Sequence, residues 1–438
     1  MKKIDRRQLL HRSLFGCGAL GLKSMLLGLP TSFLSRRVLA APGEQTHLIY
    51  SFDVEGGSIN ISCPGSYIGG NTIVRPPEFK QAVKFKLGSV SVEAASPWAT
   101  MNEAVRERLH FIHHQTEVTA HSEGPGVLTG SAAIQGASGV GSEMFPSAIA
   151  QMLNLQVTSA APIQLGGKWT FTNNSIAVNR QKTTIVADNF KKMSNSEKDL
   201  VNLRDKALDQ LYKDLCKTGN SSQKSFCDDF LLSRNQARDL SESLGEIIEQ
   251  IEIDDSHRSS LSLAAALIAA NATRVVCVEI PFGGDNHSDV EWEAEIAGLK
   301  TGTADLSFLW EQMKKLGVEE KTTVVLQGIF GRTFGQKEKS GAPMAGRDHH
   351  KNSATLAVYG PHVKPGVSGG IKATEGQKGA FSTGIDSQTG ASSDKGDIKP
   401  EESLASVYKT IASACGIDQE TVNKRFVSGK VIKSAVSS

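Results

Sequence analysis

The stretch LSLAAALIAANATRVVCVEI, residues 261–280, decides the fold class. Its first half is an apolar run of Leu and Ala that predicts a helix over 261–270, and its second half is rich in Val and predicts a buried strand over 274–280. The alternation continues with a predicted helix at 304–316 and a predicted strand at 322–327. Helices that alternate with short apolar strands are typical of an α/β fold with a mostly parallel, doubly wound sheet covered on both faces.

Further elements extend this pattern in both directions along the chain. Short apolar runs predict strands at 46–52, 109–113 and 355–359, and a final helix is predicted at 404–415. All of them fit one α/β domain that spans residues 41–438.

Two segments depart from the α/β pattern. Residues 195–258 are dense in Leu, Lys, Asp and Glu at helical spacing, which predicts an insertion of two or three amphipathic helices. Residues 364–400 are rich in Gly, Ser, Lys and Asp and have almost no large apolar side chains. Because such a composition offers little to bury, we predict a long exposed loop there.

Residues 1–40 have the pattern of a twin-arginine export signal. Arg6-Arg7 is followed by a moderately apolar run over 9–34 and then by small residues that suit a signal peptidase. We therefore expect the twin-arginine translocase to export this protein, and the mature form to be periplasmic or secreted without a membrane span. A membrane anchor is the alternative, but Lys23 and Pro30 interrupt the run short of the ~20 apolar residues that a spanning helix needs.

Removal of this leader changes the charge of the protein. Residues 1–40 hold eight Lys and Arg against one Asp, so the net charge of +2 for the whole chain becomes −5 for residues 41–438. An acidic protein has no electrostatic basis for binding nucleic acid or an anionic membrane. The remaining cysteines include no closely spaced pair of the kind that binds metal, and Cys216 and Cys227 could form a disulfide or stay reduced.

Polar side chains follow the predicted strands at the points where the strands end, which is where a doubly wound sheet binds its ligands. Asp53 follows the first strand. Two Asp-His pairs, Asp285 with His287 and Asp348 with His349, come later at neighbouring strand ends. Carboxylate and imidazole are ligands for zinc or manganese, so we predict a site for one or two divalent ions. Asp285 as a helix cap and His349 as a solvated loop residue are the alternatives.

His121, Ser122 and Arg332 are candidates for catalysis and substrate binding. Ser122 follows a predicted strand and precedes a Gly-rich segment whose backbone N–H groups could stabilise an alkoxide, so we predict it as the nucleophile, with His121 as a catalytic neighbour. An ordinary helix N-cap is the alternative for Ser122. Arg332 lies in a glycine turn and suits bidentate binding of a phosphate or sulfate ester, or a structural ion pair.

Several motifs, in this order, resemble the exported bacterial family called domain of unknown function 1501. They are the twin-arginine leader, His121-Ser122 with Leu128-Thr129-Gly130, Gly283-Gly284-Asp285-Asn286-His287, Phe330-Gly331-Arg332-Thr333 and Asp348-His349. The resemblance spans nearly the whole chain.

The resemblance implies a fold and a reaction, because that family is placed with the alkaline phosphatase and sulfatase-like superfamily. It implies a three-layer α/β/α fold and a two-metal site that hydrolyses phosphate or sulfate esters, of a small molecule or of a polymer. Asp285, His287, Asp348 and His349 correspond to metal ligands in that family, and Ser122 lies near the position of the nucleophile.

This sequence departs from the family pattern at two places. Many relatives have an acidic residue after the first Gly-Gly pair, whereas Gly56-Gly57 is followed here by Ser58, which leaves Asp53 or Glu55 to bind that metal. Some relatives have a His at the start of the C-terminal helix, where this chain has Ser403-Leu404. Two hypotheses follow: a metal-dependent ester hydrolase, or a non-catalytic protein of the same fold that serves binding or assembly at the cell envelope.

Overall fold

The computed structural model describes residues 46–53, 55, 59–65, 81–129, 133–134, 143–153, 162–167, 172–173, 176–178, 180–190, 195–221, 224, 242–254, 256–288, 292–333, 347–373 and 380–437. The leader predicted at 1–40 lies outside the described residues, as does Cys227.

Sixteen strands and eleven α-helices have bounds that lie within the described residues, and residues 242–248 are helical as well. The strands are β1 (His47–Asp53), β2 (Val83–Leu87), β3 (Val90–Ala94), β4 (Leu109–His114), β5 (Ile163–Leu165), β6 (Thr172–Asn173), β7 (Ile176–Ala177), β8 (Arg180–Gln181), β9 (Val275–Val278), β10 (Thr322–Gly328), β11 (Gly331–Arg332), β12 (His349–His350), β13 (Ala354–Tyr359), β14 (Gly366–Ser368), β15 (Ile371–Ala373) and β16 (Ala380–Ser382). The helices are α1 (Ile59–Ser62), α2 (Ser96–Ala99), α3 (Glu103–Arg106), α4 (Gly124–Leu128), α5 (Phe145–Leu153), α6 (Thr183–Phe190), α7 (Asn195–Thr218), α8 (His257–Ala269), α9 (Glu293–Lys315), α10 (Ser403–Ala414) and α11 (Gln419–Arg425).

Eight strands form one central sheet in the order β14-β4-β13-β10-β1-β9-β5-β8. All neighbours pair in parallel except β13, which is antiparallel to both β10 and β4. The predicted α/β fold with a mostly parallel sheet is therefore confirmed. β13 reverses direction because the described part of the connection from β10 contains only the short strands β11 and β12, whereas a parallel return needs a long crossover.

Helices cover both faces of this sheet, which gives three layers. Side chains alternate along a strand, so Leu48, Tyr50 and Phe52 of β1 enter one core while Ile49 enters the other. The first core is completed by side chains of α5 and α10, and the second by side chains of α8 and α9. Strands buried on both faces must be apolar throughout, which explains why the short runs of Val, Ile and Leu were readable from the sequence.

Helices α8 and α9 begin earlier than the apolar pattern predicted. Helix α8 begins at His257, because the side chain of its N-cap Ser256 accepts a hydrogen bond from the backbone N–H of Ser259. Helix α9 begins at Glu293 rather than near residue 304. Its first half contains Gly298 and Gly302, which are poor helix formers, and tertiary packing against Phe282 overrides that weakness.

Residues 364–400 correct our prediction of an exposed loop. Strand β14 joins the central sheet beside β4, and β15 and β16 form a hairpin. Ile385 and Ile398 are buried and exchange two backbone hydrogen bonds, while the carboxylate of Asp397 accepts hydrogen bonds from the backbone and side chain of Ser387. Hydrogen bonds order this segment where apolar side chains are scarce, and composition alone could not reveal them.

Within the described parts of the predicted insertion at 195–258, α7 and residues 242–248 are helical, whereas residues 249–254 are not. Cys216, in α7, is a free thiol. Among the helices of the described segments, none combines the length and the apolar character needed to cross a membrane.

Candidate metal centre

Loops that follow different strands meet at one edge of the central sheet. Asp285 and His287 lie in the loop after β9, and His121 lies in a short 3-10 helix after β4. His349 is in β12, where it pairs with Arg332 of β11. Since β4, β9 and β10 run in the same direction, their carboxyl ends bring these loops together.

The carboxylate of Asp285 is the centre of the cluster. Its Oδ2 lies 3.2 Å from Nε2 of His121, and its Oδ1 lies 3.0 Å from Nε2 of His287 and 3.2 Å from Nε2 of His349. The structure thus joins one member of each predicted Asp-His pair, Asp285 and His349, with a histidine that we had predicted for catalysis.

The hydrogen bonding of His349 determines where its proton lies. Nδ1 of His349 is 2.6 Å from the carbonyl oxygen of Thr119, and since a carbonyl can only accept, Nδ1 carries the proton. Burial lowers the pKa of His349, although the hydrogen bonds to the Thr119 carbonyl and to Asp285 oppose that shift. In the neutral ring, Nε2 of His349 faces Oδ1 of Asp285 with a lone pair, and in the protonated ring it donates a hydrogen bond to that oxygen. A proton or a metal cation between the two atoms stabilises this contact.

His287 is oriented by Asp348. Nδ1 of His287 lies 3.4 Å from Oδ1 of Asp348, while its Nε2 lies 3.0 Å from Nε2 of His349. A carboxylate on the outer nitrogen of a histidine is the common second layer of metal sites, because it fixes the ring and leaves the other nitrogen for the metal. Asp348, which we predicted as a ligand, contacts His287 in the structure, and its role as a ligand stays a prediction.

Arg332, which we predicted to bind the substrate, pairs with Asp285 in the structure. Its side chain is only 1% exposed, and its guanidinium donates to Oδ1 of Asp285 at 2.6 Å and to the carbonyl of Glu55. The turn that carries it needs glycine before it, since a Cβ at Gly331 would lie 1.3 Å from the carbonyl oxygen of Ser353. Arg332 therefore holds Asp285, which is the structural ion pair that the sequence left open.

The charge state of Asp285 follows from its contacts. Burial by itself would raise the pKa of this carboxyl, but hydrogen bonds from Arg332 and His349 and the charge of Arg332 outweigh it and lower the pKa to about 2. Asp285 is ionised at any pH at which the protein would work.

Ser122 and Asp53 also follow or end strands of the central sheet. Ser122 is exposed in the 3-10 helix, and none of the described hydrogen bonds joins its side chain to Asp285 or to the histidines. Asp53 is buried at the end of β1, where its Oδ1 accepts a hydrogen bond from the backbone N–H of Glu55. Both remain predictions as functional residues.

Two residues of the site were not found from the sequence. The ring of Phe330 stacks on His349 with centroids 4.1 Å apart and meets His121 edge to face at 5.1 Å. Thr119 fixes the tautomer of His349 through its backbone carbonyl. Phe330 belongs to the same sequence motif as Arg332, and that motif could have indicated it. Thr119 acts through its backbone carbonyl, which any residue type can provide, so the sequence does not indicate it.

The imidazoles of His121 and His349 and the carboxylate of Asp285 form a donor set that fits zinc better than manganese, which prefers oxygen ligands. Atoms of His121, Asp285 and His349 that could bind a metal lie within 4.8 Å of one another. Ligands at about 2.1 Å from a tetrahedral zinc are about 3.4 Å apart. The observed separations of 3.0–3.2 Å from Asp285 to the histidines are close to that value.

Comparisons with known proteins identify a family. The profile of a family described as "Protein of unknown function (DUF1501)" matches residues 145–426, which include Asp285, His287 and His349, while His121 precedes the matched region. No curated protein matches this chain.

Solved structures include one that is similar over most of the chain, the lipoteichoic acid synthase LtaP from Listeria monocytogenes. It is 8% identical, with a TM-score of 0.36, and the match covers 95% of this chain and 82% of that one.

Proposed function

We propose that this chain, which belongs to the DUF1501 family of proteins of unknown function, is a metal-dependent hydrolase of phosphate or sulfate esters that acts outside the cytoplasm. The observation that carries the proposal is the convergence of ligand atoms on Asp285, whose carboxylate oxygens lie 3.0–3.2 Å from the Nε2 atoms of His121, His287 and His349. Imidazole nitrogens and a carboxylate that are this close together can bind one divalent cation.

His121, His349 and Asp285 would hold the metal, and Nε2 of His287, which lies 3.0 Å from Oδ1 of Asp285, is a further candidate donor. A bound dication would polarise the ester and stabilise the negative charge that develops on its oxygens. Arg332 neutralises the charge of Asp285, so within the described cluster the negative charge available suits one ion rather than two. Phe330 shields one side of the histidines from water.

Ser122 is the proposed nucleophile because it is exposed and adjacent to His121. Its Oγ would form a bond to phosphorus or sulfur while the bond to the alcohol oxygen of the ester breaks, with the hydroxyl proton passing to solvent and the alcohol leaving protonated. A water molecule would then hydrolyse the covalent intermediate and restore the serine.

The test combines metal content with hydrolysis of a panel of aryl phosphate and aryl sulfate esters by the mature protein purified after export. Asp285→Ala and His349→Ala should each lose most of the metal and all activity above background. Ser122→Ala should keep the metal and lose activity. His350→Ala is the matched control, because His350 is the next residue in β12 and its ring packs towards Phe381, away from the cluster.

A wild-type protein without stoichiometric metal, or one that hydrolyses no ester faster than Asp285→Ala, would contradict the proposal. The second candidate function, a non-catalytic protein for binding or assembly, would then be favoured. That candidate is supported by Ser403-Leu404 in place of a ligand and by the pairing of Asp285 with Arg332.

A further inference from the structure

Two segments that carry ligands of the proposed metal centre are tied to one buried carboxylate, Glu295. Glu295 lies in the first turn of α9 and is 1% exposed. One segment is the Asp285–His287 loop and the other is the segment that leads from Arg347 into His349. Neither Glu295 nor Arg347 belongs to the cluster of ligands itself.

Glu295 contacts the first segment through Asn286, which stands between two ligands. The side-chain amide of Asn286 donates to Oε1 of Glu295 at 2.5 Å. Asp285, Asn286 and His287 are consecutive in the chain. The hydrogen bond from Asn286 to Glu295 therefore also restricts the backbone positions of Asp285 and His287.

Glu295 contacts the second segment through Arg347, whose side chain is completely buried. Nε of Arg347 donates to Oε1 at 2.9 Å, and its NH2 group donates to Oε2, so the pair is bidentate. The guanidinium also lies 4.8 Å from the centre of the Trp292 ring. Arg347 is two residues before His349, so fixing its side chain fixes the start of β12.

The two segments are joined to each other as well. The backbone N–H of Arg347 donates to the carbonyl of Asn286 at 2.7 Å. The carbonyl of Arg347 accepts from NH1 of Arg332 at 3.2 Å, and NH2 of the same guanidinium holds Asp285. The contacts therefore close a ring that runs from Asp285 through Arg332, Arg347, Glu295 and Asn286 back to Asp285.

A buried ion pair of this kind is a weak means of stabilising a fold. The cost of removing two charges from water offsets most of their attraction, and apolar residues of similar size often replace such pairs without loss of stability. What apolar residues cannot do is set directions, because dispersion contacts are not directional whereas a bidentate pair fixes both distance and angle.

We infer that Glu295 is a positioning residue of the metal centre: it holds the Asp285–His287 loop and the Arg347–His349 segment at the separation that a single metal ion requires. The inference rests on the proposed metal site and concerns affinity for the ion, whatever the substrate. Replacing a carboxylate that orients metal ligands typically lowers the affinity for the metal by about 10- to 100-fold.

The experiment measures Co²⁺ and Zn²⁺ affinity by competition with a chelator, and the visible absorption spectrum of bound Co²⁺, for the mature protein below its unfolding temperature. Glu295→Gln keeps the size of the side chain but replaces the carboxylate by an amide. Arg347 would then face one neutral oxygen and one NH₂ group, which cannot accept its hydrogen bond. We expect about 10- to 100-fold weaker binding and a changed Co²⁺ spectrum.

Asp305→Asn is the matched control. Asp305 lies on the same helix, is 2% exposed and is paired with Arg258 at 3.0 Å, but it makes no described contact with the ligand segments. It should leave the affinity and the spectrum unchanged. Asn286→Ala, which leaves the buried ion pair intact, gives a second reading if Glu295→Gln does not fold, and should weaken binding in the same direction.

Three results would overturn the inference. Glu295→Gln and Asn286→Ala could both bind Co²⁺ with wild-type affinity and spectrum, which would remove Glu295 from the metal centre while leaving the proposed function intact. Asp305→Asn could weaken binding equally, which would mean that general loss of stability is the cause. A folded wild-type protein that binds neither ion would overturn the inference and the proposed function together.

Discussion

The guanidinium of Arg332 donates to three acceptors that come from distant parts of the chain: Asp285, the carbonyl of Glu55 and the carbonyl of Arg347. The side chain of Arg332 is buried, so water cannot replace an acceptor that one of its N–H groups loses. The planar fork of arginine can reach acceptors on different sides, which a lysine amine cannot.

Arg332→Lys should therefore lower the free energy of unfolding by about 2–4 kcal/mol, the sum expected for lost hydrogen bonds to a charged and a neutral acceptor in a buried place. Urea unfolding of the metal-free protein measures it. The exposed pair of Lys351 with Glu117 provides the control, because Lys351→Met should change stability by less than about 0.5 kcal/mol. Equal effects of the two substitutions would contradict this account of Arg332.

Strand β4 carries three buried histidines, His110, His113 and His114, each of which is at most 2% exposed. Burial is the main cause that lowers the pKa of each to about 4, partly opposed by a hydrogen bond to a backbone carbonyl. The central sheet therefore contains neutral imidazoles at pH 7.

The stability of the protein should decrease with acid as a consequence of these histidines. In the unfolded chain a histidine binds a proton below about pH 6.5, whereas in β4 it does so only near pH 4. Stability is therefore fully present above pH 6.5 and is lost as the pH falls towards 4, at up to about 1.4 kcal/mol per pH unit for each histidine. Denaturant unfolding of His110→Gln in chelator should show a shallower loss than wild type over this range, and an identical slope would contradict the prediction.

Helix α9 approaches the loop of the metal centre closely enough to exclude any side chain. A Cβ at Gly298 would lie 2.2 Å from the backbone nitrogen of Gly283, two residues before Asp285. Contact at that distance is impossible, so either the helix or the loop must move when Gly298 is replaced.

Gly298→Ala should destabilise the protein by about 1–3 kcal/mol, the usual cost of overpacking, and should weaken metal binding because the loop shifts. Gly284→Ala is the control within the same loop, since its Cβ would meet no atom within 4 Å. Thermal unfolding with and without Zn²⁺ compares the two variants. A tolerated Gly298→Ala would contradict the close approach of α9.

At the scale of the whole molecule, the leader predicted at 1–40 should determine the compartment in which the site works. Changing Arg6 and Arg7 to Lys preserves the charge and removes only the guanidinium pair that the twin-arginine route reads. We expect the precursor to accumulate in the cytoplasm, as measured by cell fractionation and immunoblotting. Arg36→Lys serves as the control and should be exported normally, and export of the double variant would indicate the general secretory route.

The sequence by itself determined the layered α/β fold, since strands buried on both faces must be continuously apolar and helices between them must have an apolar face. It also indicated Asp285 and His349, because polar residues at strand ends collect at one edge of the sheet. Only the tertiary structure decided the roles within that edge. It joined His121 to Asp285, placed Asp348 behind His287, buried Arg332 and brought in Glu295. Roles of this kind depend on distances of a few ångströms between segments far apart in the chain, and no local pattern of residues records them.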